Sequence, residues 1–242
     1  MVESFDLRLA DARELAPAVR ELVFERVDGQ PLSHEPGQWV NLFLPTPAGE
    51  LKRSYSIASA PDGSPRAKVA VTKVDGGVGS AILHDLPVEG VVRAGGPHGF
   101  FARAADDPSP ALMVATGTGL APIRAMVEAA LRSGSRAPLW ILFGVRHEED
   151  VLWRDELARW PLDHPNVRVE ITLSRPHAAW TGRRGWVQEH LADLWSELHA
   201  TTGSSDGHLW VCGLERMVKA VRELARGGLG VDRKHVHAEK YD

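Results

Sequence analysis

The chain has 242 residues, 43% hydrophobic and 25% charged, with a formal net charge of −4. That is the composition of an ordinary globular protein rather than a disordered one, it is long enough for two domains of about 100 to 150 residues, and no basic block invites nucleic acid. A single cysteine, Cys212, excludes an internal disulfide and a thiolate-held zinc or iron-sulfur centre, so any one-electron centre the protein serves belongs to another chain.

Its longest apolar runs, such as 139–145, fall far short of the roughly 18 residues needed to cross a bilayer. Residues 1–9 carry Glu3, Asp6 and Arg8 in place of the basic segment and long apolar run of a signal peptide, so no membrane span and a cytoplasmic location are expected.

In chain order, residues 5–103 break into short segments (19–27, 38–44, 68–74) separated by Pro and Gly clusters, which predicts an antiparallel barrel or sandwich. Within it, Arg53-Ser54-Tyr55-Ser56 places Arg53 and Tyr55 on one side of a strand and turns Ser56 away unless the strand bends. A guanidinium beside an aromatic ring suits a ligand with a pyrophosphate at one end and a flat ring at the other. Taken alone, the pattern fits an edge strand with an exposed arginine equally well. Gly76-Gly77-Val78-Gly79-Ser80 then leads into a short helix over 81–86 with Ser80 as its N-cap, and glycines before a helix start let a phosphate approach its free amides.

Residues 106–110, with two prolines and two acids, read as a linker. Beyond it, apolar runs at 111–115, 139–145, 167–173 and 209–212 alternate with helix-like stretches, predicting a parallel sheet with its ligand at the carboxyl ends of the strands. Thr116-Gly117-Thr118-Gly119-Leu120-Ala121-Pro122 follows the first of these runs and precedes a helix over 123–132. Two glycines permit a tight strand-to-helix turn, and Pro122 suits the first helical turn, although the G-x-G-x-x-G fingerprint is absent. Arg146 and the pair Ser174-Arg175 close the next two runs, where they would line a cleft. Val211-Cys212-Gly213-Leu214 closes the last run before a helix over 215–226, and Glu239-Lys240-Tyr241-Asp242 ends the sequence. By themselves Cys212 reads as a small buried residue and Glu239 as a surface charge.

The ordered set Arg53-Ser54-Tyr55-Ser56, Gly77-Val78-Gly79-Ser80, Thr116 to Pro122, Val211 to Leu214 and Glu239-x-Tyr241 resembles the ferredoxin-NADP reductase superfamily over nearly the whole chain. The resemblance implies a six-stranded antiparallel β-barrel FAD domain over residues 1–105 and an α/β parallel-sheet NAD(P) domain over residues 109–242. It implies that Tyr55 stacks on the flavin ring, that Arg53 and Ser80 hold the pyrophosphate, and that Ser54, Val71, Lys73, Gly77, Val78 and Gly79 complete the FAD site. Thr116, Gly117, Thr118, Gly119, Arg146, Ser174, Arg175 and Arg183 are assigned to NADP(H) or NAD(H), with Cys212, Gly213 and Leu214 beside the nicotinamide. Ser174, Arg175 and Arg183 match positions that bind a 2′-phosphate, which favours NADPH, although Arg183 and Arg184 also read as a solvated loop pair. Ser56, Cys212, Glu239 and Tyr241 form the catalytic set, with Tyr241 covering the flavin as a gate. No metal is assigned, and none of the 11 histidines falls in a catalytic motif.

The activity implied is hydride transfer from NADPH or NADH to FAD, with electrons passed to a separate ferredoxin, flavodoxin or other acceptor protein. A reductase of free flavins and an electron-transfer subunit of a larger complex share these motifs.

Overall fold

The computed structural model describes residues 4–204 and 206–241. Six strands build the first half: β1 (Ser4–Ala16), β2 (Val19–Arg26), β3 (Trp39–Thr46), β4 (Gly49–Ser56), β5 (Arg66–Thr72) and β6 (Val91–His98), with helix α1 (Val78–Asp85) between the last two. They pair antiparallel in the order β4-β3-β6-β1-β2-β5. Alternation explains the curl: Phe5, Leu7 and Leu9 of β1, Leu22 and Phe24 of β2, and Val40, Leu42 and Leu44 of β3 all point into one core, a period of two with polar residues outside. Closure comes just after β4, where Ile57 bridges to Val69 and the Ala58 amide donates to the Lys68 carbonyl at 2.7 Å. The two end strands therefore meet, as in a barrel.

The second half contains β7 (Ala111–Thr116), α2 (Leu120–Arg132), β8 (Leu139–Val145), α3 (Arg154–Asp163), β9 (Val167–Leu173), β10 (Arg183–Arg184), α4 (Leu191–Thr202), β11 (His208–Leu214), α5 (Glu215–Glu223) and β12 (Val236–Tyr241). All six strands are parallel, in the order β10-β9-β8-β7-β11-β12. Central β7 is buried on both faces, as an all-parallel sheet requires. Met113, Ala115, Phe143 and Cys212 share one face with Leu120, Ile123 and Trp153, while Leu112, Val114, Leu142 and Val211 share the other with Leu194, Leu198 and Val221. The first face also contacts Ala16, Ala58 and Ala70 of the barrel. The chain leaves β7 toward β8 and later returns to its other side as β11, so a topological switch lies between β7 and β11, the usual place for a ligand in an open α/β sheet.

Boundaries differ from the sequence expectation at helix starts. α1 begins at Val78 with Gly77 as its N-cap, so Ser80 is not the cap: its hydroxyl donates to the Gly77 carbonyl at 3.0 Å and accepts from the Val74 amide at 3.1 Å, bracing the turn instead. α2 begins at Leu120 after a 3-10 turn over Gly117–Gly119. The last helix passes into a π turn over Leu224–Gly228 instead of running to residue 226 as one α-helix. The linker is pinned from inside: the buried Arg103 guanidinium donates to the carbonyls of Asp107 at 2.8 Å and Ser109 at 3.0 Å.

Candidate active site

β4 carries Arg53 and Tyr55 on the side that meets α1. A Cβ added to Gly79 would lie 3.1 Å from Arg53 Cγ, so the missing side chain lets the arginine stem cross the first turn of the helix. The guanidinium is exposed and donates to the Lys52 carbonyl at 2.9 Å. α1 has no side-chain cap, which leaves its first amides for an anion. A cation with no ion pair among the described residues, over an uncapped helix start, fits a pyrophosphate. Tyr55 packs at the margin of the barrel core, where burial raises its hydroxyl pKa against the lowering effect of the Arg53 charge. Val71 is fully buried in the barrel core and its carbonyl accepts from His84 Nε2 at 2.9 Å, so its side chain is withheld from any ligand. Lys73, just past β5, is exposed, and Ser54 donates to Asn41 Oδ1 at 2.9 Å.

The chain turns from β3 toward β5 after Ser56, and this bend aims the Ser56 hydroxyl at the second sheet. It donates to Glu239 Oε1 at 3.3 Å and accepts from the Tyr241 hydroxyl at 2.6 Å. Pairing of β11 with β12 sets Cys212 beside Glu239 and Leu214 beside Tyr241, and alternation puts all four on one face. Burial pushes the Glu239 carboxyl up to about 7, opposed by the Ser56 hydrogen bond. Burial first, then the Glu239 carboxylate, drives the Cys212 thiol well above its ordinary range, so it is a packing surface and not a thiolate nucleophile. Burial likewise raises the Tyr241 hydroxyl, with Cys212 and Glu239 adding to the effect. Asp242 lies outside the described residues. A groove of about 820 Å³ reaches Glu239 from the turn after β6, lined also by Trp39, His98, Phe100 and His237.

Across the topological switch, Gly119 approaches β11 so closely that a Cβ would sit 2.3 Å from the Cys212 carbonyl oxygen. Gly213, at φ +146°, would place a Cβ 2.3 Å from Thr116 Oγ1. That hydroxyl is buried without a hydrogen-bond partner among the described residues, an arrangement that is costly unless a ligand supplies one. α2 has no side-chain cap either, and Gly117 and Thr118 present the turn before it. An orphan hydroxyl, two obligatory glycines and an uncapped helix start fit a nicotinamide nucleotide. Leu214 is exposed at the end of β11.

Arg146, Ser174 and Arg175 gather at the carboxyl ends of β8 and β9, where the Ser174 and Arg175 amides donate to the carbonyls of Val145 and Arg146 at 3.0 and 2.9 Å. Neither arginine side chain is paired among the described residues. Arg183 is different. It pairs with Thr172 in β10–β9, but its Nε donates back to Glu170 Oε2 at 3.0 Å, and Glu170 also holds Arg168 at 2.7 Å. The neighbouring carboxylate thus offsets part of the charge that Arg183 would offer a 2′-phosphate. Arg184 donates to the carbonyls of Ala178 at 3.2 Å and Trp180 at 2.6 Å, shaping its loop. Sequence reasoning missed Trp186, 63% exposed and next to Gly185, whose amide caps β9 through the Leu173 carbonyl at 2.9 Å. The sequence signal was a tryptophan directly after Arg183-Arg184-Gly185, and its exposure appears only in the structure.

Two family models match the chain, an oxidoreductase FAD-binding domain over residues 6–102 and an oxidoreductase NAD-binding domain over residues 113–223. Ferredoxin-NADP reductase B of Sorangium cellulosum is 57% identical over 240 residues, which cover 99% of this chain and 98% of that protein. The stachydrine N-demethylase reductase subunit Stc4 of Rhizobium meliloti is 30% identical, and the match covers 93% of this chain and 63% of that protein. Among solved structures, the Amycolatopsis cytochrome P450 reductase GcoB superposes with a TM-score of 0.82 at 26% identity, covering 99% of this chain and 71% of that one. The ferredoxin-NADP+ reductase of Plasmodium falciparum shares the fold with a TM-score of 0.80 at 20% identity, covering 98% of this chain and 96% of that one.

Proposed function

The chain belongs to the ferredoxin-NADP reductase superfamily, and on that premise we propose that it carries electrons from NADPH through FAD to a separate ferredoxin or flavodoxin in the cytoplasm. It is an oxidoreductase that uses FAD and a nicotinamide nucleotide. When bound, FAD accepts two electrons as hydride and releases them singly, which is the chemistry a one-electron acceptor protein requires. Residues 1–105 serve as the flavin-holding domain and residues 109–242 as the nucleotide-holding one.

The observation that carries this reading is the cluster in which Ser56 of the barrel meets Glu239 and Tyr241 of the parallel sheet, beside the buried Cys212. Arg53 and the start of α1 hold the FAD pyrophosphate, and Tyr55 supports the ring. Thr116 to Gly119 receive the nucleotide pyrophosphate, and the Thr116 hydroxyl meets the nicotinamide's polar edge. Ser56 Oγ would relay a proton, accepting one on one side as it passes its own on the other, and Glu239, with its pKa near 7, would be the group that stores or supplies the proton at neutral pH. Cys212 and Gly213 form the wall against which the nicotinamide packs. Tyr241 occupies the seam until the nucleotide displaces it.

The Sorangium relative is by name a ferredoxin-NADP reductase, and this supports ferredoxin as the acceptor and NADPH as the donor. Arg146 and Arg175 supply the cations for the 2′-phosphate, and Trp186 offers a face for the adenine. Purified protein assayed with NADPH against a ferredoxin, a flavodoxin and free FMN tests the assignment. Retained yellow flavin with reduction of a protein acceptor is expected. Loss of flavin on purification, with free FMN reduced and neither protein reduced, would replace the protein acceptor with a free flavin.

A further inference from the structure

A second polar junction ties the two halves together, just beyond Ser56 in the chain. Arg124, in the second turn of α2, has a side chain only 5% exposed. Its Nη1 donates to the Ala58 carbonyl of the barrel and, at 3.3 Å, to Glu128 Oε2. Its Nη2 and Nε donate to Glu156 Oε2 at 2.8 and 3.2 Å, and the guanidinium lies 5.2 Å from the centroid of the Trp153 ring. Trp153 is itself anchored to the barrel, its indole N–H donating to the buried Glu21 Oε2 at 2.6 Å. One turn further along α2, Glu128 accepts from the Ala60 amide at 2.8 Å. Successive turns of one helix face therefore grip the backbone at residues 58 and 60, immediately beyond Ser56.

The same helix opens, at Leu120, on the glycine turn that faces the topological switch. A buried guanidinium with this many partners is a poor way to add stability, because its desolvation offsets much of the attraction. What it does provide is a fixed distance between the start of α2 and the bend after β4. The Tyr241 to Ser56 tie across the seam has to open if a nicotinamide is to enter, so the register of the two halves needs contacts that stay closed.

We propose that Arg124 and Glu128 are positioning residues that hold the flavin-side segment Ser56–Ala60 in register with the nucleotide-binding start of α2. The inference rests on the function proposed above. Neither side chain touches the reacting atoms; they act through the backbone of Ala58 and Ala60. Hydride transfer is steeply sensitive to such register, a displacement of about 1 Å costing on the order of a hundredfold in rate.

The test uses FAD-loaded wild type, Arg124→Lys and Glu128→Ala. Lysine keeps the charge but loses the planar fork that reaches Ala58 and Glu156 together, and Glu128→Ala, nearer the surface, serves if the arginine variant does not fold. The first readout is hydrogen-deuterium exchange over residues 57–62 with and without NADP+. Nucleotide is expected to slow exchange there in the wild type and to leave it unchanged in the variants. The second is the anaerobic rate of flavin reduction by NADPH. Its limiting value should fall about tenfold or more while half-saturation by nucleotide and FAD content stay at wild-type levels. Variants that keep FAD, show the wild-type exchange response and reduce at the wild-type rate overturn the inference. So does a loss of rate that only follows loss of FAD or a lowered melting temperature. A wild type reduced by neither NADPH nor NADH overturns the function itself, and this inference with it.

Discussion

The Tyr241 hydroxyl donates to Ser56 Oγ at 2.6 Å, so the end of the last strand of one sheet closes on the bend at the end of β4 in the other. The contact ties the last strand to the serine proposed to serve the reaction. Tyr241→Ser removes the ring from the seam, so oxidised nucleotide should bind about tenfold tighter and leave more slowly, lowering turnover. Titration with NADP+ followed by the flavin difference spectrum checks this. Unchanged affinity with reduced stability would make Tyr241 a strand residue and nothing more.

Glu239 gives a pH dependence with a definite sign. Its folded pKa is raised from 4.5 to about 7, so below about 4.5 both folded and unfolded states hold the proton and folding carries no penalty from this group. Between about 4.5 and 7 the unfolded chain ionises first, and the stability contribution is lost as pH rises, levelling above that. Melting temperatures of wild type and Glu239→Gln, compared across this window, should converge toward its acid end and diverge toward pH 7, with the variant more stable. The limb near pH 7 in the turnover profile should disappear in the variant. Parallel curves would mean that Glu239 does not titrate there.

Arg53 stands over an uncapped helix start. A charge-assisted contact contributes roughly 1.5 to 3 kcal/mol, so Arg53→Ala should raise the FAD dissociation constant about tenfold or more. Equilibrium dialysis of FAD measures it directly, and wild-type affinity in the variant would remove the pyrophosphate from this position.

Coenzyme choice should separate two arginines that look alike in the sequence. Arg175 has no ion pair among the described residues, whereas Arg183 is held by Glu170. Arg175→Ala should therefore lower kcat/KM for NADPH about tenfold or more with little change for NADH. Arg183→Ala should chiefly affect stability. A larger NADPH defect in Arg183→Ala than in Arg175→Ala would reverse the assignment.

The barrel, the parallel sheet and the glycine turn at Thr116–Gly119 are legible in the sequence because each rests on local periodicity or on residues close together in the chain. The Ser56, Cys212, Glu239 and Tyr241 set is legible only through family resemblance, since Glu239 and Cys212 alone carry no signal of their surroundings. Ser80 was misread as a cap because its hydroxyl could serve the helix amides or the preceding turn, and the position of Val74 decides between them. The Glu170 partner of Arg183 is not legible in the sequence, because strand pairing supplies it. Arg124 escaped notice for the same reason: Ala58, Glu156 and Trp153 reach it only once both halves have folded against each other.

The most direct test of the central claim, that Ser56 and its partners mark where the hydride crosses, is anaerobic stopped-flow reduction of FAD-loaded wild type and Ser56→Ala by NADPH. Rapid bleaching of the wild-type flavin is expected, with a rate lower by about a hundredfold in Ser56→Ala and with FAD content and nucleotide affinity retained. Bleaching of Ser56→Ala at the wild-type rate would contradict the claim.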